Sequence, residues 1–303
     1  MFASVTVGLD GTRESVAAAE WAAHEALTRD VPLQLVLVRD TGPYPCPPVV
    51  VADQTEREWS QRVTCEVAED LGNRFPELSL TVMMLSGRPS YVLSDISART
   101  GLLVLGSRGL GSVLGYLVGS TALATVAHAT CPVVLVRPAA EPETPRTSQT
   151  GAAARTAANG QGHVVLGLDL GRPCEELLDF AFRTASRHSA PLRVLHAWQL
   201  PPAFGATPSY PVGVEITEDL QRETNQRLTE TVRPWHEKFP DVPLSHLAVL
   251  GQPSSLLIEA AAGASMLVVG RRARHSRTGT HVGPVDHAVM HHVRTPIAVV
   301  AHE

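Results

Sequence analysis

The residues best suited to chemistry lie in one run, Gly106-Ser107-Arg108-Gly109-Leu110-Gly111-Ser112-Val113-Leu114-Gly115-Tyr116-Leu117-Val118-Gly119-Ser120-Thr121. The run follows Leu102-Leu103-Val104-Leu105, a continuous apolar stretch of the kind that forms a strand buried on both faces. Gly106 and Gly109 would let the backbone take positive φ and approach a bound phosphate closely. Gly119 and Ser120 would open a helix, whose free N–H groups and dipole favour an anion. Ser120 would add a hydroxyl donor. The spacing is not that of a dinucleotide-binding G-x-G-x-x-G, and the glycines follow the fourth apolar strand rather than the first.

Several other chemistries lack their residues. Lys238 is the sole lysine, which removes a Walker A lysine, a kinase-type strand lysine and any Schiff base in the first half. Neither Ser15 nor Ser120 sits in a G-x-S-x-G elbow. Cys46, Cys65, Cys131 and Cys174 are scattered without a C-x-x-C pair, which fits a reducing compartment and neither a disulfide framework nor a zinc site. Among thirteen histidines, His287 and His291 form an i, i+4 pair that could ligate a metal. No H-E-x-x-H completes it, and His128 matches His292 in the first copy, so a helix-face role is expected instead.

The elements that must position the glycine run occur twice. Val5-Thr6-Val7-Gly8-Leu9-Asp10 recurs as Val164-Val165-Leu166-Gly167-Leu168-Asp169, and Leu33–Val38 recurs as Leu192–Ala197. Gly87-Arg88-Pro89-Ser90 recurs as Gly251-Gln252-Pro253-Ser254, and Cys131–Val136 recurs as Thr295–Val300. From Gly87 onward the two copies align without a gap; earlier, a small insertion lies in the second copy's middle loop. A period of this length is a duplicated domain, and the chain length of 303 residues agrees with two domains. The expected boundaries are 1–138 for the first domain, 139–161 for a flexible Ala/Thr/Pro/Gly-rich linker, and 162–303 for the second.

Within the first copy, strands are expected near Val5–Leu9, Leu33–Val38, Leu78–Met83, Leu102–Leu105 and Val133–Val136. Helices are expected near Arg13–Arg29, Asp53–Arg74, Pro89–Thr100 and Ser120–Ala129, the first burying Val16, Ala19, Ala23 and Leu27. Apolar strands alternating with helices predict an α/β fold: two doubly wound five-stranded parallel-sheet sandwiches in tandem. Ligands of such sheets lie beyond the carboxyl ends of the strands, at the switch point.

The pattern G-x2-G-x9-G-[ST], met by Gly106, Gly109, Gly119 and Ser120, resembles the ATP-binding signature of universal stress proteins. The strand end Val7–Thr12 and the closing Cys131–Val136 are similar to that family as well, and the likeness covers both copies. The resemblance implies a Rossmann-like fold related to the adenine nucleotide alpha hydrolases. It implies a nucleotide on Gly8, Leu9, Asp10, Val38, Leu105, Gly106, Gly109, Gly119, Ser120 and Thr121. Asp10 would meet the adenosine part, the Val38 backbone would read adenine, and the last five residues named would hold the phosphates. Asp10 could alternatively serve only to cap the helix near Thr12-Arg13. The implied cofactor is ATP, with or without Mg²⁺ held mainly by the phosphates.

The second copy departs from the pattern. Its matching stretch, Gly270–Asp286, has Ala273 for the second glycine and Pro284 for Ser120. Proline has neither N–H nor hydroxyl. Asp286 would put a carboxylate in the helix's first turn, repelling phosphate while stabilising the helix. Arg271, Arg272, Arg274 and Arg277 could hold an anion, or form a solvated basic loop. One competent ATP site and one degenerate site are expected.

Three functions are open at this stage. One is a nucleotide-dependent stress-response binding protein, the second a slow ATPase using the same pocket, and the third a structural stress protein with a vestigial pocket. Against catalysis stand the missing lysine and the lack of a general base inside the glycine loop, so at most weak ATP hydrolysis is expected. The net charge of −5 argues against nucleic acid as partner. No apolar run approaches the ~20 residues of a membrane span, and Met1–Val5 lacks a basic leader-like region, so a cytoplasmic location is expected. The family likeness further implies a pseudo-dimer through Val133–Val136 and Ile297–Val300, open to further homodimerisation.

Overall fold

The fold is taken from a computed structural model that describes residues 4–40, 50–109, 116–138, 162–200, 214–272 and 282–302. The chain divides into two compact units, whose bulk is Met1–Ala139 for the first and Ala140–Arg272 with Gly283–His302 for the second. The expected linker, 139–161, lies outside the described residues.

In the first unit the chain runs β1 (Val5–Leu9), α1 (Arg13–Arg29), β2 (Leu33–Arg39), α2 (Val50–Arg74), β3 (Leu80–Ser86), α3 (Pro89–Ser97) and β4 (Leu102–Gly106). A short antiparallel pair, β5 (Arg108–Gly109) and β6 (Tyr116–Leu117), precedes α4 (Ser120–His128) and β7 (Val133–Val136). The five long strands are parallel in the order β3-β2-β1-β4-β7. The chain therefore winds outward from β1 to β3, then returns past β1 to lay down β4 and β7. The reversal puts the switch point between β1 and β4, where Gly8 stands level with Leu105.

β1, β4 and β7 are apolar along their length because helices cover both faces. Side-chain direction identifies the helices. A Cβ on Gly8 would meet Leu105 and, from α3, Leu93, whereas a Cβ on Gly106 would meet the α1 backbone. Successive strand positions point to opposite faces, so α1 and α3 lie on opposite sides of the sheet.

The buried face of α1 differs from the expected one. It is Ser15, Ala18, Ala19, Ala22, Ala23 and Ala26, while Val16 is 42% exposed and Leu27 is only half-buried. A stripe of alanines lets the helix axis sit close to the sheet, and a larger residue on that face would hold it off. Glu25 is also buried on α1, ion-paired to Arg29 at 2.6 Å.

The second unit repeats the plan: β8 (Val164–Gly167), α5 (Glu175–Arg187), β9 (Leu192–Trp198), α6 (Val214–Lys238), β10 (Leu244–Leu250), α7 (Pro253–Ala260), β11 (Met266–Arg272), α8 (Pro284–His292) and β12 (Ile297–His302). Its parallel order is β10-β9-β8-β11-β12. The repeated G-x-P-S turn has the same cause in both copies. Gly87 has φ +144 and Gly251 φ +157, a region L side chains rarely adopt. Each glycine N–H donates to the carbonyl at the end of the neighbouring strand, Gly87 to Arg39 and Gly251 to Trp198, both at 2.9 Å. Among the described residues no helix is long and apolar enough to cross a membrane.

Candidate functional site at the switch point of the first unit

β1 ends at Leu9, and the chain turns at once into α1. Thr12 caps that helix, its hydroxyl accepting the Ser15 N–H at 3.3 Å. Asp10 is not the cap. Its Oδ1 accepts the Thr12 N–H at 3.0 Å and the Thr12 hydroxyl at 2.5 Å, so the carboxylate braces the capping residue from one side. It remains exposed at the carboxyl edge of the sheet. Gly8 stands between Val36 on β2 and Leu105 on β4. Val38, one residue past the partner of Leu9, lies half-buried on the same edge. Leu9 and Leu105 are each only 5% exposed and form the apolar floor.

Gly106 has a different reason for being glycine from the expected one. It is absent from the positive-φ glycines among the described residues, which are Gly11, Gly87, Gly251 and Gly263. A Cβ there would lie 2.6 Å from the Glu14 carbonyl carbon and 2.8 Å from the Ser15 nitrogen. The glycine is required by the close approach of α1, so β4 and the first turn of α1 are locked together beneath Asp10 and Thr12. Ser107 follows, completely buried, and among the described residues its Oγ has no hydrogen-bond partner. Sequence reasoning passed over this residue; comparison with Arg271, its counterpart in the second copy, would have drawn attention to it.

Past Ser107 the chain makes an antiparallel pair, Gly109 opposite Tyr116 and Arg108 opposite Leu117, which pins the two ends of the glycine-rich loop together. The tip, residues 110–115, lies outside the described residues. The chain then enters α4 at Gly119, with φ −59 and ψ 150. Among the described residues no side chain caps this end, and its first turn carries no acidic residue. Ser120 and Thr121 are exposed, and a Cβ on Gly119 would meet nothing within 4 Å. An uncapped helix end with two hydroxyls and free space before it suits a group with several anionic oxygens. The sheet neighbours β1 and β4 thus bring Gly8, Leu9, Asp10, Leu105 and Gly106 to one edge. Val38 lies on the next strand of that edge, and the β4–α4 connection supplies Gly109, Gly119, Ser120 and Thr121.

The counterpart in the second unit is built otherwise. Asp169 is ion-paired to Arg272 at 3.6 Å. Pro284 occupies the first position of α8, and Asp286 stands in its first turn. Burial pushes the Asp286 carboxyl up to about 7, against the opposing pull of the Gly283 N–H, Arg271 and Arg272. Arg271 is 3% exposed; burial lowers its pKa while Asp286 acts to raise it. Arg274 and Arg277 lie outside the described residues. The His287 and His291 rings are 4.4 Å apart, and among the described residues no three His, Cys, Asp or Glu side chains converge to hold a metal.

Two matches to the universal stress protein family, at residues 1–137 and 161–301, together span nearly the whole chain. The chain belongs to the universal stress protein family. A universal stress protein of Mycobacterium tuberculosis is 30% identical over 311 residues, covering 97% of this chain and 96% of its own. One from Mycolicibacterium smegmatis is 31% identical over 307 residues, covering 98% and 96%. Both likenesses run end to end, so the tandem arrangement is common to these relatives. Among solved structures, a universal stress protein from Archaeoglobus fulgidus superposes with a TM-score of 0.74 at 14% identity, covering 99% of this chain and 98% of that one. At that identity the likeness speaks to the fold, and the fold agrees with two doubly wound α/β units.

Proposed function

We propose that this universal stress protein binds ATP at the switch point of its first unit and acts as a nucleotide-dependent binding protein in the stress response. The observation that carries the reading is the uncapped α4 N-terminus, with open space before Gly119 and exposed hydroxyls on Ser120 and Thr121. The phosphates would rest on the Gly109 and Gly119 backbone and on Ser120 and Thr121. The orphaned Ser107 hydroxyl beneath the loop is a polar group that such a ligand, or a water ordered with it, could satisfy. Asp10, braced by Thr12, would take the ribose, and the Val38 backbone would meet adenine on the floor of Gly8, Leu9 and Leu105. Mg²⁺ would arrive with the nucleotide, held by the phosphates.

The site in the second unit is read as closed to nucleotide, since Pro284 removes an N–H and Asp286 brings like charge. The working place is the cytoplasm. The apolar strands β7 and β12 close each unit's sheet at one end and are the surfaces through which we propose the two units pair; an unpaired apolar edge would invite association.

Isothermal calorimetry with ATP on the full chain tests the reading, after mass spectrometry of any nucleotide that copurifies. Binding near one per chain, lost in Ser120→Pro, is the expected result. A chain that binds no ATP, or binds about two, would overturn it. Phosphate release measured in the same samples separates binding from turnover.

A further inference from the structure

In the second unit an acidic side chain sits at the N-terminus of α8. Asp286 turns back along the first turn until its Oδ2 lies 3.0 Å from where a Cβ on Gly283 would stand, and it accepts the Gly283 N–H. Arg271 and Arg272 act on the same carboxylate. Arg272 is shared with Asp169 at 3.6 Å, whereas Arg271 is almost wholly buried at 3% exposure.

The repeat gives this pair its meaning. Arg271 stands where the first unit has Ser107, and Asp286 stands where it has Ala122. In the first unit those two positions are a buried hydroxyl without a partner and a small buried apolar residue. In the second they are a buried guanidinium and the carboxylate acting on it. A buried guanidinium and a nearby carboxylate offset part of each other's desolvation cost. Among the described residues no side chain caps the first unit's helix at the same place.

We propose that Asp286 is the resident anion of the second unit: with Arg271 it fills the position that polyphosphate oxygens would take, and it thereby excludes nucleotide from this unit. The inference rests on the reading of the first unit only for the equivalence of the two positions. It implies a latent polyphosphate site, in which Arg271 supplies a stronger attraction than the first unit's Ser107 once the carboxylate is gone.

The test uses the full chain carrying Ser120→Pro, so that the first unit is silent, at about pH 8, where the Asp286 carboxyl is mainly ionised. The probe is inorganic tripolyphosphate, followed by calorimetry and by the rise in melting temperature. Asp286→Ala, which installs the first unit's residue, is expected to bind at least about tenfold tighter than its Asp286 parent. Arg271→Ser/Asp286→Ala, which recreates the first unit's pair, is expected to lose most of that gain. Should Asp286→Ala fail to fold, Asp286→Asn keeps the shape of the cap without the charge, and the same tightening is expected. No tightening in a folded Asp286 variant, or an equal gain in the double variant, overturns the proposal. Failure of the wild-type chain to bind ATP would remove the reading of the first unit while leaving this gain measurable.

Discussion

Gly106 and Gly119 belong to the same family pattern, and the structure gives them opposite burdens. At Gly106 an added methyl carbon would fall 2.6 to 2.8 Å from three backbone atoms of Glu14 and Ser15. Backbone cannot swing aside as a side chain can, so α1 must move as a body against the sheet. Overpacking of this kind costs about 1–3 kcal/mol. For a unit of this size each kcal/mol lowers the melting temperature by roughly 2–4 °C, so Gly106→Ala is expected to melt about 2–12 °C below wild type. At Gly119 the same carbon meets nothing within 4 Å, and φ −59 suits alanine. Only a weaker N-cap is lost, about 0.5 kcal/mol or less. Gly119→Ala should therefore keep its melting temperature within about 2 °C while losing affinity for ATP, since the methyl enters the space assigned to phosphate. One good charge-assisted contact is worth about 1.5–3 kcal/mol, or roughly ten- to a hundredfold in Kd. Calorimetry and thermal melts of the two variants, side by side, decide the matter. A Gly119→Ala chain that melts as low as Gly106→Ala, or a Gly106→Ala chain as stable as wild type, would refute the division between scaffold glycine and ligand glycine.

The second unit should respond to pH through Asp286, whose carboxyl is ordinary near 3.8 when unfolded and raised to about 7 when folded. The folded state then holds a proton that the unfolded state has released, so the contribution is present in full below about 3.8 and lost as pH rises through about 7. Melts between about pH 5 and pH 8 should show stability declining with pH, and Asp286→Asn should flatten that decline; parallel curves would contradict the assignment. Glu25→Ala removes one partner of a buried ion pair and is expected to cost about 3 kcal/mol in urea unfolding. Thr12→Ala should cost about 1 kcal/mol through the lost cap of α1, and by freeing Asp10 should weaken ATP binding as well. Burial pushes the thiols of Cys131 and Cys174 up to about 12 and about 11, while Cys65 is exposed. Mass spectrometric mapping after brief native alkylation near neutral pH should find Cys65 modified, with Cys131 and Cys174 protected until the chain is unfolded.

Strand and helix identities were legible in the sequence because period and composition report burial directly. The run Leu102–Leu105 is continuous apolar and became β4, and the recurrence of G-x-P-S marked a turn that the two copies share. The buried face of α1 was read less well. Val16 and Leu27 outrank alanine on any hydrophobic scale, yet the alanine stripe faces the sheet because closeness, not apolar area, governs that contact. The bounds of the third expected strand also shifted: Leu78–Met83 gave way to Leu80–Ser86, whose pairing with β2 carries it to Ser86 beside Arg39.

Repetition was enough, read as sequence, to establish two like domains, and the Gly106–Thr121 pattern with its altered counterpart Gly270–Asp286 set the expectation of a phosphate-binding loop in the first that is degenerate in the second. Those features are local, and local spacing encodes them. Tertiary structure decided which atoms those residues meet. It set Gly106 against the α1 backbone and made Asp10 the brace of Thr12 rather than the cap. It also left Ser107 buried without a partner and brought Asp286 onto the N-terminus of α8 beside a buried Arg271. Each of these depends on how closely separate elements approach one another. That distance is fixed by packing across the whole sheet, and no stretch of residues states it alone.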